Sequence, residues 1–170
     1  MKEKINVFDY SELITKALRP GILLNSNGEK FNAMVIGWGH LGVIWGLDTF
    51  TVYVRQSRYT KAQLDKAGEF TLSIPLDGVD KEINRVCGTL SGRDINKADY
   101  VTLVEPETNN TPGIKEYPLT IECKIIYKQD QDLEKIPDNV IDRYYGKGSD
   151  VGDFHTAYIG QIVDAYIIKD

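Results

Sequence analysis

The 170-residue chain is poor in the residues that most often carry chemistry. It has two cysteines, two histidines, two tryptophans and two methionines. Cys87 and Cys123 lie far apart and form no CxxC pair, so both read as buried, reduced thiols. No close-spaced cluster of His, Cys and carboxylates is present, and no metal site is expected. There is no GxSxG nucleophile motif. There is also no GxGxxG after a strand, since Gly37-Trp38-Gly39 has a different spacing and lacks a following helix, so a Rossmann site is unsupported. No apolar run approaches the ~20 residues that span a bilayer, and the amphipathic N-terminus lacks a signal-peptide core. These point to a cytoplasmic chain with no membrane association. A net charge of −5 and the absence of a long basic run argue against nucleic acid as a partner.

With 42% apolar and 26% charged residues, and no repeats or linker, the chain reads as one globular domain over residues 1–170. An amphipathic helix is expected over residues 9–18, with Ser11 as N-cap, Leu13, Ile14, Ala17 and Leu18 on one face, and Pro20-Gly21 as its end. Residues 21–26 lead to Asn27-Gly28, a two-residue hairpin signal, followed by extended segments at 31–38, 42–47 and 49–55. Thr60 and Gln63 fit a capping box, with Leu64 and Ala67 inward and Gly68 as a stop. A strand at 69–75 precedes a helix at 80–87, capped by Asp80, with Ile83, Val86 and Cys87 inward. Gly88–Asp99 is a polar loop. Strands resume at 100–104, 118–128 and 155–168, around a polar insertion at 129–152 with a helix after Pro137. Many strands with few, short helices define a mainly β chain, an antiparallel barrel with flanking helices and not a βαβ array.

Four segments could carry function. Arg55 to Lys61 (RQSRYTK) joins a strand to a helix. It places Arg55, Ser57, Arg58, Thr60 and Lys61 at a helix N-terminus, where free N–H groups suit a phosphate monoester. The alternative is an ordinary cap with solvated cations. In FNAMVIGWGH (31–40), Asn32 is polar within an apolar strand, and Trp38 stands between two glycines, beside backbone accessible to a planar heterocycle. The alternative is a core strand ending in a Gly-rich turn. GTLSGRDINK (88–97) carries Ser91, Gly92, Arg93 and Lys97, a compact cation for a flavin edge or a phosphate, or simply solvated surface. DFHTAYIGQIV (153–163) holds His155, structural or functional.

In this order, FNAMVIGWG, VRQSRYTKAQL, GEF, SGRD with Lys97, and DFHTAYIGQIV resemble the flavin reductase-like family of FMN-binding split barrels, which includes flavoredoxin. The resemblance runs from about Pro20 to Val163. It implies a split β-barrel of antiparallel Greek-key type, and a homodimer with FMN near the interface. It implies that Asn32, Ala33, Met34, Val35 and Trp38 line the isoalloxazine and ribityl, and that Ser57, Arg58, Thr60 and Lys61, helped by Arg55, hold the phosphate. Lys97 and His155 would lie close to the flavin, as its catalytic candidates. Two departures stand out: Val35 replaces a common Thr, and Phe154 separates Asp153 from His155. The activity implied is NAD(P)H-dependent hydride transfer to flavin N5, with NADH or NADPH as co-substrate and onward electron transfer. The alternative is a non-enzymatic FMN-binding or electron-transfer protein reduced by a protein partner. A third reading is a barrel for another phosphate ligand or none.

Overall fold

The computed structural model describes residues 1–169. Its elements in order are β1 (Lys2–Lys4), α1 (Ser11–Ala17), β2 (Ile22–Ser26), β3 (Asn32–Ile36), β4 (Gly39–Ile44), β5 (Leu47–Arg55), α2 (Tyr59–Ala67), β6 (Glu69–Ile74), α3 (Lys81–Thr89), β7 (Leu103–Val104), β8 (Gly113–Ile114), β9 (Leu119–Asp130), α4 (Asp138–Tyr144) and β10 (His155–Ile168). Seven strands form an antiparallel path, β3-β2-β6-β9-β10-β5-β4, with β1 added beside β10 and β7–β8 as a separate pair. The sheet does not close, because β3 and β4 end the path without pairing to each other. This is the expected mainly β class, in the open form of a split barrel.

Several local expectations are corrected. Ser11 is the first residue of α1 and not its cap, because a 3-10 turn at Val7–Tyr10, capped by the Asn6 side chain, leads straight into the helix. Thr60 and Gln63 form no capping box. Thr60 Oγ1 accepts from Asn32 Nδ2 at 2.9 Å, and Gln63 Oε1 accepts from the Glu29 N–H at 2.8 Å, so both side chains serve the β2–β3 hairpin. That hairpin turns over residues 27–31, not at a two-residue Asn-Gly turn, since Ser26 already pairs with Asn32. The tight turn lies at Trp45-Gly46, between β4 and β5, with both residues at positive φ (54° and 72°). It places β4 and β5 at 39–44 and 47–55, where 42–47 and 49–55 were expected. A tryptophan is an unusual occupant of that conformation, and so the turn carried no sequence signal. The strand expected at 100–104 shrinks to Leu103–Val104, because Lys97–Tyr100 winds into a 3-10 turn. Asp80 does cap α3, its Oδ1 accepting the N–H groups of Glu82 and Ile83 at 2.9 Å each. A helix follows Pro137 as expected.

Strand alternation builds two cores. Ile22, Leu24, Phe50, Val52, Val54, Phe70, Leu72, Ile121 and Tyr158 pack inside the curved sheet. Leu23 points the other way, into a smaller cluster with Ala33, Ile83, Cys87 and Tyr117 under α3. β2 is therefore buried on both faces, and each such side chain contributes ~1.5–3 kcal/mol. β9 and β10 form the longest ladder, with register shifts at Ile159/Gly160 and Ile162/Asp164. Gly160 is required there, since a Cβ would lie 2.6 Å from Phe70 Cζ and 2.8 Å from Cys123 Cβ. Both cysteines are free and buried, as expected.

Candidate cofactor-binding cleft

A cleft runs along the edge strand β3. Its first half is lined by Asn32, Met34 and Val35 of β3, Ser57–Thr60 at the start of α2, and Cys87–Arg93 with Lys97 across from them. Its second half is lined by Met34–Trp38, Tyr53, Arg55, Arg58 and His155. Met34, Val35 and Arg58 belong to both, so the two halves adjoin. Three of the four candidate segments contribute several residues each here, and the fourth contributes His155.

In the first half, the N-terminus of α2 opens toward the 88–97 loop. The first N–H groups of a helix have no partner within it. The Arg58 guanidinium, which lines both halves, has no hydrogen-bond or ion-pair partner among the described residues. Arg93 reaches across, with Nη1 donating to the Ser57 carbonyl at 3.3 Å and the guanidinium over the Tyr59 ring at 5.4 Å. Gly92 passes so close that a Cβ would lie 2.2 Å from Asn32 Oδ1. That oxygen is buried and accepts no hydrogen bond, although its Nδ2 is held by Thr60. A buried acceptor without a donor is rare in a folded chain; Asn25 Oδ1 and Thr111 Oγ1 are two more here, but Asn32 is the one that lines the cleft.

The remaining candidates are placed differently. The Ser57 N–H and hydroxyl are both taken by the Asp153 carboxylate, the former at 3.0 Å. Lys61 Nζ donates to Asp65 Oδ2 at 2.7 Å and is not part of the cleft lining. Ala33 buries its methyl in the second cluster, and its carbonyl accepts from Lys97 Nζ at 2.7 Å. Lys97 is itself buried and donates also to the Cys87 carbonyl at 3.1 Å; burial lowers its pKa. It ties β3 to the end of α3 and lines the cleft floor.

The second half is aromatic. Trp38 is packed between His155 (centroids 4.7 Å) and Tyr144 (5.0 Å, edge-on). His155 is buried, and its Nδ1 lies 2.7 Å from the Tyr145 hydroxyl. Burial, and next the Arg55 cation beside it, pull its pKa down to about 4, so the ring is neutral near pH 7. Arg55 is spent on the 131–154 segment: it donates to the carbonyls of Asp153 (3.3 Å) and Tyr144 (3.0 Å), with Asp150 3.8 Å away. Sequence reasoning missed Tyr144 and Tyr145, which sit in an insertion without a motif, and named Ser91 and Arg93 in a candidate segment without giving them a role.

The chain is an open antiparallel split barrel whose cleft runs from the N-terminus of α2 to an aromatic pocket. Residues 26–170 match the flavin reductase like domain, and the chain belongs to that family. An uncharacterized protein of Archaeoglobus fulgidus is 29% identical over 143 residues, covering 83% of this chain and 68% of the other. Among solved structures, flavoredoxin from Methanosarcina acetivorans superimposes with a TM-score of 0.67 at 25% identity, over 88% of this chain and 69% of the other. An FMN-binding domain of a flavin reductases-like enzyme from Shewanella baltica shares the fold at 16% identity, with a TM-score of 0.66 over 98% of this chain and 77% of the other. Among the described residues, no helix is long and apolar enough to cross a membrane, and no cluster of metal ligands occurs.

Proposed function

We propose that this chain binds FMN non-covalently in the β3 cleft and is an NAD(P)H-dependent flavin oxidoreductase. The observation that carries the reading is the orphaned Asn32 Oδ1, buried in the wall of the cleft half that also holds Arg58 and the start of α2. A polyhydroxyl chain is the donor that oxygen lacks. Arg58 and the N–H groups of Tyr59 and Thr60 at the start of α2 would take the phosphate, with Arg93 and Ser91 closing over it. Thr60 orients Asn32 through its hydroxyl. Ser57 would join only by giving up Asp153. Lys61 and Arg55 are committed elsewhere and would act on the phosphate through their charge alone. Met34, Val35, Trp38 and His155 would wall the ring system, and Ala33 and Lys97 support β3 from behind. Bound flavin would supply the redox chemistry, accepting hydride from NADH or NADPH and passing electrons onward. No separate nicotinamide pocket is assigned, so the donor would share the open side of the ring pocket, where Trp38 is 38% exposed.

The reading includes a homodimer. Val43, Trp45 and Tyr127 are exposed around the unpaired β4 edge, and Trp45 occupies a left-handed conformation disfavoured for its type. We place the contact with a second copy there; sedimentation of Trp45→Ser should show a shift toward monomer with thermal stability unchanged.

The test is a visible spectrum of protein mixed with FMN and gel-filtered, before and after anaerobic NADH and NADPH. Flavin absorbance that co-elutes and is bleached by either donor is expected. Protein that retains no FMN would overturn the cofactor reading. Retained FMN that neither donor bleaches would favour an electron-transfer protein reduced by a partner.

A further inference from the structure

Gln131, Tyr145 and His155 meet where β9, the 131–154 segment and β10 join. The Gln131 N–H donates to the His155 carbonyl at 3.0 Å, and the His155 N–H donates to Gln131 Oε1 at 3.1 Å. The second bond decides the orientation of the amide, because the opposite orientation would set an NH2 group against a backbone donor. Oε1 must therefore be an acceptor. The Tyr145 hydroxyl lies 2.9 Å from it and has one proton to give. With that proton directed at Gln131, the hydroxyl turns a lone pair toward His155 Nδ1, 2.7 Å away. Nδ1 must then carry a hydrogen. A neutral imidazole has only one, which leaves Nε2 bare. Nε2 has no partner among the described residues and is not sealed off, and the ring lines the aromatic half of the cleft.

We infer that Gln131 and Tyr145 are positioning residues that lock His155 in its Nδ1–H form, so that Nε2 faces the cleft as a proton acceptor. The ligand group this wall recognises is an N–H donor, such as a ring imide or a carboxamide, and not a carbonyl oxygen. Identifying that ligand as a flavin or a nicotinamide rests on the proposed function; the tautomer itself does not. The 131–154 segment thus sets the hydrogen-bonding character of the ring pocket. Its anchors are the two Arg55 bonds and the Asp153 bonds to Ser57.

The test is long-range proton–nitrogen correlation NMR of protein carrying 15N-histidine, at pH 7, without flavin. The chain has only two histidines, so His40 serves as an internal reference. Wild-type His155 should show a protonated Nδ1 and a bare Nε2. Gln131→Ala frees the Tyr145 proton for Nδ1 and should switch the ring to the Nε2–H form. Gln131→Glu keeps an acceptor and should retain the Nδ1–H form. Tyr145→Phe should lose it. A wild-type ring protonated at Nε2, or identical ring states in Gln131→Ala and Gln131→Glu, would overturn the inference, and the wild-type spectrum alone decides the first point even if a variant fails to fold. FMN added to the same samples separates the two proposals. Weaker FMN binding in Gln131→Ala, restored in Gln131→Glu, supports both. The expected tautomer with no FMN binding supports the relay and overturns the flavin reading.

Discussion

Arg55 and Arg58 are three residues apart and carry the same charge, yet the two halves of the cleft use them in opposite ways. Arg55 ends β5 with its guanidinium turned onto carbonyls of the 131–154 segment and largely buried. Arg58 precedes α2, is exposed, and its guanidinium has no hydrogen-bond or ion-pair partner among the described residues. A cation whose donors are already used stabilises the fold; one left unpaired at a helix N-terminus is available to an anionic ligand. The aromatic half is thus assembled from within the chain, whereas the first half keeps a cation that no described residue pairs.

The sharpest way to break this comparison is to remove each arginine. Arg55→Ala strands two carbonyls that received charged hydrogen bonds, and should cost about 3 kcal/mol in urea unfolding. It should weaken FMN and riboflavin alike. Acid should act on the same half. The unfolded histidine titrates near 6.5, whereas folded His155 does so only at about 4, so the unfolded state binds the extra proton between those values. Stability should be full above about pH 6.5 and fall as pH drops toward 4, by at most about 3 kcal/mol. Arg55 and Arg58 oppose the charged ring, and Asp153 and Asp150 favour it, but burial dominates. Asp65, held at about 2 by Lys61, Lys128 and Tyr158, adds to the loss only at the acid end of that window, where the unfolded carboxyl begins to protonate. A His155→Gln chain should show a flatter dependence in unfolding at pH 7, 5.5 and 4.

Arg58→Ala should leave folding intact and weaken FMN by about 1.5–3 kcal/mol, with riboflavin little changed. Equal losses for both ligands, read by fluorescence titration, would mean that Arg58 does not meet the phosphate. The smallest effect is expected for Lys61→Ala. Its partner Asp65 lies one helical turn away, and such pairs are worth about 0.5 kcal/mol or less. A large loss of FMN in Lys61→Ala would show that the lysine leaves Asp65 for the ligand.

The elements most legible in the sequence were those governed by local rules. Asp80 capped α3 because its side chain reaches only its own helix. Gly68 stopped α2 because the next residue needed a left-handed backbone. Thr60 and Gln63 misled because their side chains are equally suited to a distant donor, and the β2–β3 hairpin supplied one to each. The Trp45-Gly46 turn was hidden because the strand pairing imposed a backbone its first residue disfavours.

The order of the four motifs pointed to the family, and the strand and helix signals to the mainly β class, because each depends on residue type and neighbours in the chain; the same signals made Arg55–Lys61 the candidate cradle. The tertiary structure decided which residues of that cradle remain available. Arg58 is open, Ser57 is engaged by Asp153 from nearly a hundred residues away, and Lys61 turns to its own helix. It also decided the state of His155, whose neighbours Tyr145 and Arg55 arrive from different segments. A motif specifies the groups a site can offer, but the proton and the charge each one presents depend on partners that only folding brings within bonding distance.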